Sequence, residues 1–469
     1  MPVYLEQLSR ILGPNDLVVS PAETNPLLID ERQLYRGRAA AIVQPRTTEQ
    51  LAAIVGVCAK ANVAMVPQGG NTGYCGGATP DESGHQVLIN LSKMNRILGV
   101  DAASLTLSAQ AGVVLANAQR AAAEQGLLLP LSMGSQGSCQ LGGNISTNAG
   151  GLAVLRYGTA REMVAGLEVV LPDGQIWSDL KGLRKDNTGY DLKQFFMGAE
   201  GTLGIISAAV LRLQPRPRAR ITAFLETPDL ASAVSTLMLL REHLGDCITS
   251  FEYLSREALL LAVAQIKEIR NPLPQATGNF VLVELAAFDD GAGLTEQLAA
   301  ALQVAIANGT VGDCVVAHND TQRGAFWRLR ESIPEAEKRA GGSIKHDVSV
   351  EISKLSEFAT NLQEDTLARF PGCRISLYGH LGDGNIHFNV LASASVSAAQ
   401  FKRECADSLS ALVHSAAIDR GGSFSAEHGV GRLKRHLLAS TTDLVSLQLM
   451  RKIKRTLDPN GLMNPGKVL

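Results

Sequence analysis

The stretch GSQGSCQLGGNISTNAGG, residues 134–151, is one of two long glycine-rich segments in the first half of the chain. The other is PQGGNTGYCGG, residues 67–77. Glycine permits positive φ and lets the backbone approach a ligand, and successive free N–H groups form an anion-binding concavity. Two such loops in one domain therefore predict a site for a phosphate-containing ligand, with a pair of tight surface turns as the alternative.

The two loops lack the motifs of the commonest nucleotide-binding proteins. Neither contains the P-loop pattern G-x-x-x-x-G-K-[ST], and neither reads G-x-G-x-x-G. An ATPase and an ordinary Rossmann domain are therefore weak interpretations.

The elements around the loops define a first domain. Residues 39–68 read as strand, helix and strand, with Thr47 and Gln50 at capping-box spacing. GLEVVLPDGQIWS reads as a hairpin with Asp173-Gly174 at its turn. Since prolines 215 and 217 mark a boundary, we predict a first domain of two α+β subdomains, preceded by an amphipathic helix, over residues 1–217.

The pattern changes after this boundary. Strand-like runs alternate with whole helices over residues 218–425, which predicts a second α+β domain with an antiparallel sheet covered on one side. Residues 426–469 form a C-terminal segment that is expected to return to the first domain. It contains one predicted helix, LVSLQLMRKIKRTL.

Composition excludes several classes of protein. The chain has 469 residues, 19% of them charged, and a net charge of −2, so it carries no electrostatic footprint for nucleic acid. No stretch approaches the ~18–20 uninterrupted apolar residues of a membrane span, and the N-terminus does not read as a signal peptide. Seven scattered cysteines, never in a C-x-x-C pair, favour free thiols and a cytoplasmic location.

Two histidines flank a turn in YGHLGDGNIHFNV, residues 378–390. Asp383-Gly384 predicts a hairpin, across which His380 and His387 can lie on one face. Two neutral imidazoles are good ligands for a divalent metal but leave the site incomplete. Ordinary hydrogen-bonded histidines near a turn are the alternative.

SFSAEHGVGRLKR, residues 423–435, offers the missing group. Glu427 is a candidate third ligand, and the adjacent His428 is free for another role. Glycines 429 and 431 would let this loop bend tightly around a ligand. Three protein ligands with an open position are typical of a catalytic metal site.

The glycine loops also carry a family resemblance. PQGGNTG, LGGNISTNAGG, RYG and DNTGYDLKQFFMGAEGTLGII resemble the FAD-binding domain of vanillyl-alcohol-oxidase-type flavoproteins over residues 39–215. Covalent members carry a histidine in the first loop; none is present here, so the resemblance implies noncovalent FAD. The residues it implies for FAD binding are Pro67, Gly69, Gly70, Asn71, Thr72, Gly73, Ser138, Gly142, Gly143, Asn144, Thr147, Asn148, Gly151, Gly201, Ile205 and Asn464.

A second resemblance covers the rest of the chain. YGHLGDGNIHFNV, SAEHGVG and DPNGLMNPGKVL are similar to the C-terminal domain of FAD-linked D-2-hydroxyacid dehydrogenases, especially the D-2-hydroxyglutarate branch. The resemblance implies that His380, His387 and Glu427 bind zinc or a similar ion. It also implies that His428 acts on the substrate as the general base and that Asn389 contacts it.

WRLRESIPEAEKRAGGSIKHDVSVE, residues 327–351, bears on the substrate. The resemblance implies that Arg330 and Lys345 hold the distal carboxylate of a dicarboxylate. A threonine of some members is Pro334 here, which keeps the shorter D-malate open as a substrate. The alternatives are a helix-face salt bridge of Arg330 with Glu331 or Glu335, and a solvated surface lysine.

These observations predict FAD-dependent, metal-assisted oxidation of a D-2-hydroxy acid, above all D-2-hydroxyglutarate, to the 2-oxo acid. A D-lactate or glycolate dehydrogenase of the same family, a flavin-free metal hydrolase and a non-catalytic flavin-binding protein are the alternatives. The resemblance implies electron-transfer flavoprotein or a quinone-linked carrier as electron acceptor. A homodimer is compatible with the sequence, which does not fix the oligomeric state.

Overall fold

The computed structural model describes residues 2–393 and 395–469. The chain divides into two compact units. The first comprises Met1–Gly151, Gly158–Arg216 and Glu427–Leu469, and the second comprises Leu152–Tyr157 and Pro217–Ala426. These divisions lie next to the boundaries expected at 217 and 425, but the short segment Leu152–Tyr157 belongs to the second unit.

The helices of the two units are numbered here in chain order. They are α1 Val3–Ile11, α2 Thr48–Lys60, α3 Leu115–Glu124, α4 Leu141–Ser146, α5 Val154–Tyr157, α6 Ala160–Met163, α7 Leu230–Leu244, α8 Arg256–Gln265, α9 Ala292–Ala307, α10 Asp320–Arg339, α11 Ile352–Arg369, α12 Ala398–Ile418, α13 Arg435–Thr441 and α14 Leu444–Leu457. Among the described residues, no helix is both long and apolar enough to cross a membrane.

The strands are numbered in the same way. They are β1 Leu17–Val19, β2 Ala41–Val43, β3 Met65–Gln68, β4 Val87–Asn90, β5 Ile97–Asp101, β6 Thr106–Gln110, β7 Leu127–Leu128, β8 Val164–Val170, β9 Ile176–Asp179, β10 Ile205–Arg212, β11 Gln214–Pro215, β12 Ala219–Thr227, β13 Ile248–Leu254, β14 Asn279–Ala287, β15 Cys314–Val316, β16 Ser343–Ile344, β17 Asp347–Ser349, β18 Arg374–His380 and β19 Asn385–Leu391.

The first unit contains two main sheets. One has the order β1-β2-β4-β3, in which β4 pairs with β2 and β3 in parallel and β1 pairs antiparallel with β2. The other is antiparallel, with the order β5-β6-β10-β8-β9. This confirms the predicted hairpin of β8 and β9. The first glycine loop follows β3, and the second runs into α4, so regular elements anchor both loops.

The cap of α2 differs in detail from the predicted capping box. The hydroxyl of Thr47 accepts from the Gln50 N–H at 3.2 Å, as expected. The Gln50 side chain, however, accepts from the Arg46 N–H, at 2.9 Å, one residue before the position that a capping box requires.

The second unit is built on an eight-stranded antiparallel sheet with the order β15-β12-β14-β13-β18-β19-β16, and β17 also pairs with β19. The predicted histidine hairpin is confirmed as β18 and β19, joined by a short 3-10 turn with Gly384 at φ +81°. Strand β13 lies beside β18, and this register sets Glu252 opposite His380.

Helices cover this sheet on both faces, so the expectation of a sheet covered on one side is wrong. Val281, Val283 and Leu285 of β14 join one hydrophobic core with α7, α9, α11 and α12, while Phe280 and Leu282 join a second core with α8 and α10. A strand that is buried on both faces reads as a continuous apolar run, because neither side of its pleat meets water.

Candidate active site

A cleft in the first unit is lined by both glycine loops. The residues predicted for FAD binding that line it are Pro67, Gly69, Gly70, Asn71, Thr72, Gly73, Gly142, Gly143, Asn144, Thr147, Gly201 and Ile205. Other lining residues, which the sequence analysis did not single out for the cofactor, are Gln68, Cys75, Gly77, Ala78, Leu91, Gln140, Ser146, Glu200, Gly204, Ile206 and His428.

The shape of this cleft fits a bound cofactor. A Cβ added to Gly73 or Gly143 would meet no protein atom within 4 Å, so both glycines keep space open on the lining. The buried side-chain oxygen of Gln140, also on the lining, has no hydrogen-bond partner among the described residues. An open cradle with an unused acceptor is what a polar ligand such as FAD would fill.

Gly70 has a different role from its open neighbours. A Cβ there would lie 2.2 Å from the Ser138 main-chain oxygen, so the two glycine loops touch through their backbones at this point. Ser138 itself, predicted to bind FAD, is outside the lining and serves this contact. Gly151 also lies outside the lining. A Cβ added there would lie 2.0 Å from the Ser132 main-chain oxygen.

Asn148 and Asn464 also lie outside the lining. Asn148 has φ +49°, and its side-chain oxygen accepts from the Thr159 hydroxyl at 2.9 Å and the Arg161 N–H at 3.0 Å. Asn464 has φ +46° and is 1% exposed. Its amide donates to the main-chain oxygens of Gly77 and Glu200, at 3.0 and 2.8 Å. In this structure both asparagine side chains hold the loops.

His428 lies on the lining of this cleft. Its ring meets the Tyr74 ring edge-on, with centroids 4.9 Å apart. Glu200 holds the segment that follows, because its carboxylate accepts from the N–H groups of Val430 and Gly431 at 2.7 and 2.8 Å. Burial raises the pKa of Glu200, although these two N–H donors oppose the shift.

Glycines 429 and 431 bend the chain close against protein groups. Both have positive φ, +74° and +52°. A Cβ at Gly429 would lie 2.8 Å from a Glu200 carboxylate oxygen, and one at Gly431 would lie 2.3 Å from the Cys75 main-chain oxygen.

In the second unit the hairpin brings the two predicted metal histidines together. His380 ends β18 and His387 lies on β19, with ring centroids 5.7 Å apart and planes at 78°. His380 is 7% exposed, so the pair is withdrawn from solvent on this side. Two imidazoles at this spacing are a donor set that zinc and similar divalent ions accept.

A buried carboxylate supports the first of these imidazoles. Glu252 accepts from His380 Nδ1 at 2.7 Å, and its other oxygen accepts from Arg330 Nε at 2.8 Å. Burial by itself would raise the pKa of Glu252, but the interactions with His380 and Arg330 outweigh it and hold the pKa at about 2. The carboxylate is therefore ionised and acts only as an acceptor.

The second imidazole is also backed by an acidic residue. A carboxylate oxygen of Asp347, on β17 opposite His387, lies 3.9 Å from His387 Nδ1. That oxygen also accepts from the Asn385 amide at 2.9 Å. The Tyr378 ring packs against His387 with centroids 5.0 Å apart. Carboxylates and packed rings behind metal-binding histidines commonly fix their orientation.

Glu427, the predicted third ligand, opens the C-terminal stretch of the first unit. The residue before it, Ala426, ends the second unit, and its N–H faces the Asp347 main-chain oxygen at 3.4 Å. The chain thus leaves the second unit next to β17, the strand that pairs with β19 and sets Asp347 opposite His387.

Arg330 is buried inside the second unit, so the alternative of a helix-face salt bridge with Glu331 or Glu335 is wrong. Its side chain is 6% exposed, pairs with Glu252 and stacks over the Tyr378 ring at 4.8 Å. Within the described residues its two terminal amino groups have no hydrogen-bond acceptor. They are therefore available to an anion.

Lys345 is ion-paired rather than a solvated surface lysine. Its ammonium group contacts the Glu337 carboxylate at 2.9 Å, and the lysine side chain is 31% exposed while that of Glu337 is fully buried. Asn389 donates to the same carboxylate at 3.0 and 3.1 Å and to the Tyr378 hydroxyl at 3.2 Å. The predicted substrate residues Lys345 and Asn389 therefore share one buried anchor.

Three residues of this constellation were not singled out from the sequence. Glu252 was visible as a lone charge in the strand ITSFEYL, and Tyr378 is the first residue of the stretch that contains the two histidines. Glu337 gave no signal, because EAEKR on a helix reads as a solvated face.

Two family models match this chain. The family model described as FAD linked oxidases, C-terminal domain, matches residues 216–468, and the model described as FAD binding domain matches residues 39–179. The mitochondrial D-2-hydroxyglutarate dehydrogenase of Bos taurus is 38% identical over 99% of this chain and 83% of its own length. The D-2-hydroxyglutarate dehydrogenase of Xanthomonas citri pv. viticola is 36% identical over 96% of this chain and 94% of its own.

Among solved structures, p-cresol methylhydroxylase with substrate bound superimposes with a TM-score of 0.76. The match covers 99% of this chain and 96% of that one, at 18% identity, and so concerns the fold alone. It confirms the predicted architecture of an FAD-binding domain and an α+β domain with an antiparallel sheet.

Proposed function

The chain belongs to the family of FAD-linked oxidases, and we propose that it oxidises a D-2-hydroxy acid, above all D-2-hydroxyglutarate, to the 2-oxo acid. It is an FAD-dependent dehydrogenase. The observation that carries the choice of substrate class is the buried chain Arg330–Glu252–His380, with contacts of 2.8 and 2.7 Å. It joins Arg330, whose terminal amino groups are unused donors, to His380, whose imidazole is suited to metal binding.

The second unit would hold the substrate by its charged ends. Arg330 offers a planar pair of donors, which matches a carboxylate, and Lys345 offers a point charge beside it. Asn389, fixed by Glu337, lies in the same network and would contact the substrate. These groups favour a dicarboxylate because a monocarboxylate such as D-lactate has nothing to place against them.

A divalent ion would complete the binding of the hydroxy-acid end. His380 and His387 lie close enough to share one ion, and we propose Glu427 as the third ligand and zinc as the metal. Such an ion, when bound, lowers the pKa of a coordinated hydroxyl.

The residues that we propose to accept the proton and to hold FAD belong to the first unit. We propose that His428 takes the hydroxyl proton on an imidazole nitrogen as general base. FAD, held noncovalently by the two glycine loops, supplies the hydride acceptor. The loops orient it, and Glu200 keeps the main chain after His428 in place.

Electrons must then leave the reduced enzyme. We propose electron-transfer flavoprotein or a quinone-linked carrier as acceptor. We further propose the cytoplasm as its location: the cysteines of the described residues form no disulfide, as in a reducing compartment, whereas the name of the bovine relative assigns that protein to mitochondria.

Turnover of four acids tests the substrate class. We expect kcat/KM to be highest for D-2-hydroxyglutarate, lower for D-malate, and at least about tenfold lower for D-lactate and glycolate, because a lost charged hydrogen bond costs about 1.5–3 kcal/mol. A higher value for D-lactate or glycolate would replace this proposal with the alternative dehydrogenase of the same family.

Lys345→Ala tests the binding of the distal carboxylate. We expect KM for D-2-hydroxyglutarate to rise about 10- to 100-fold, in line with one charged hydrogen bond, while KM for D-lactate changes less than about twofold. Steady-state kinetics with both acids measure this. Lys354→Ala, which removes an exposed lysine paired with Glu351, is the control and should change neither. An equal effect of Lys345→Ala on both acids would refute the role.

Gly143→Ala tests the assignment of the cleft to FAD. The added methyl group would meet no protein atom, so it should not destabilise the apoprotein, but it would project into the space for the cofactor. Overpacking costs about 1–3 kcal/mol, which would raise the Kd for FAD roughly 5- to 150-fold. Flavin fluorescence during titration of the apoprotein measures that Kd.

Gly56→Ala is the matched control, since Gly56 is also helical and open but lies on α2, outside the cleft. It should leave FAD affinity unchanged and stabilise the fold by about 0.5–1 kcal/mol. Unchanged FAD affinity in Gly143→Ala would contradict the assignment of the cleft.

A further inference from the structure

Glu252 occupies an unusual place for a charged residue. It lies on β13, in the middle of the eight-stranded sheet, with its side chain 1% exposed. The strand register sets it directly opposite His380 on β18. An isolated charge in a sheet covered on both faces is costly, so such a residue is kept where it has specific partners.

Each oxygen of this carboxylate has a different donor. One accepts from His380 Nδ1 at 2.7 Å, and the other accepts from Arg330 Nε at 2.8 Å. Arginine is always a donor, and a carboxylate facing two donors accepts from both. His380 therefore carries a proton on Nδ1, so a metal would bind this imidazole through Nε2.

The same contact aims the arginine. With Nε bound to Glu252 and the guanidinium carbon over the Tyr378 ring, 4.8 Å from its centroid, the position of the two terminal amino groups is restricted. A planar guanidinium anchored at Nε can still bind a carboxylate through its terminal groups.

We propose that Glu252 is a positioning residue that couples the two ends of substrate binding: it fixes the His380 tautomer that can ligate a metal and aims Arg330 at the distal carboxylate. This inference rests on the proposed function and deepens it. Glu252 contacts neither substrate nor metal in this role; it acts through its two partners.

Glu252→Gln separates this role from simple packing, because glutamine has the same shape but only one acceptor. If its oxygen faces Arg330, its NH2 group donates to His380 Nδ1 and forces the proton onto Nε2, where it blocks metal binding. If its oxygen faces His380, the NH2 group opposes Arg330 Nε, donor against donor.

The experiment measures Zn²⁺ affinity of the metal-stripped, FAD-loaded enzyme by competition with a chromophoric chelator. With the amide group toward His380, we expect Glu252→Gln to weaken Zn²⁺ binding about 10- to 100-fold, the usual effect of losing a carboxylate behind a metal-binding histidine. With the amide group toward Arg330, we expect KM for D-2-hydroxyglutarate to rise more than KM for D-lactate, because Arg330 loses its anchor.

Glu284→Gln is the matched control. Glu284 is a buried glutamate of the neighbouring strand β14 that accepts from Trp327 and Thr222, at 2.7 and 3.1 Å, and has no contact with His380 or Arg330 among the described residues. It should keep Zn²⁺ affinity and the KM ratio of the two acids. If both variants lost Zn²⁺ affinity, the effect would come from removing any buried charge in this sheet, and the inference would be overturned.

The outcomes distinguish the inference from the function on which it rests. Wild-type Zn²⁺ affinity together with a wild-type KM ratio of the two acids in Glu252→Gln, with Zn²⁺ affinity lost in His380→Ala, would overturn only the role of Glu252. A wild-type enzyme that binds no Zn²⁺ through His380 would overturn the metal assignment and this role together. If Glu252→Gln does not fold, Glu252→Asp is measured instead, because aspartate keeps the charge on a side chain one methylene shorter. We expect Glu252→Asp to bind Zn²⁺ about tenfold more weakly. Wild-type Zn²⁺ affinity in Glu252→Asp would overturn the inference.

Discussion

Replacing His380 with alanine should lower kcat/KM for D-2-hydroxyglutarate by about 10³-fold or more while leaving the protein yellow. A metal that polarises the substrate contributes several kcal/mol of transition-state stabilisation, and about 4 kcal/mol corresponds to that factor. FAD should be retained, because the glycine loops lie in the first unit and His380 in the second. Metal content by mass spectrometry, flavin absorbance and turnover measure the three quantities on one preparation.

The control for this substitution is His243→Ala. His243 is an exposed histidine on α7 whose ring contacts the Leu239 main-chain oxygen, so its loss should change neither metal content nor turnover. Full activity in His380→Ala, or a full complement of metal without activity, would contradict the assignment of His380 as a ligand.

Replacing His428 with alanine should lower kcat/KM by about 10²- to 10⁴-fold, the range of general acid–base catalysis. This variant would lose the proposed base, whereas His380→Ala would lose the metal. His428 is among neither the proposed metal ligands nor the residues predicted to bind FAD, so this variant should keep both metal and flavin. A base works only when deprotonated. The wild-type rate should therefore fall as the pH drops and His428 becomes protonated, and this acid limb should disappear in the variant.

The pair of variants separates the two histidine roles. His380→Ala is expected to lose metal and activity together, whereas His428→Ala loses activity alone. A pH–rate profile of His428→Ala that keeps the acid limb of the wild type, with a rate lowered less than about tenfold, would assign the base to another group.

Local sequence signals predicted those parts of the site that depend on local geometry. The histidine hairpin followed from Asp383-Gly384 between two apolar runs, because turn chemistry fixes the register of neighbouring strands. The glycine loops followed from composition and spacing. A cradle needs residues without side chains, and Gly73 and Gly143 do leave open space on the cleft.

The rest depends on pairing between distant strands and helices, which a single sequence does not encode locally. Glu252 and His380 are 128 positions apart, and only the β13–β18 register brings them together. The helix-face interpretation of Arg330 failed for the same reason: its acceptor is on a strand rather than on its own helix. Asn148 and Asn464 matched a cofactor motif, yet their side chains bind the main chain or side chains of the protein.

The anaerobic absorbance spectrum of the FAD-loaded enzyme tests the central claim directly. We expect the flavin band near ~450 nm to bleach on addition of D-2-hydroxyglutarate and to persist after prior chelation of the metal with EDTA, since the proposed reaction needs both cofactors. Restored bleaching after Zn²⁺ is returned would complete the result. A flavin band that no D-2-hydroxy acid reduces, with or without metal, would contradict the proposed reaction.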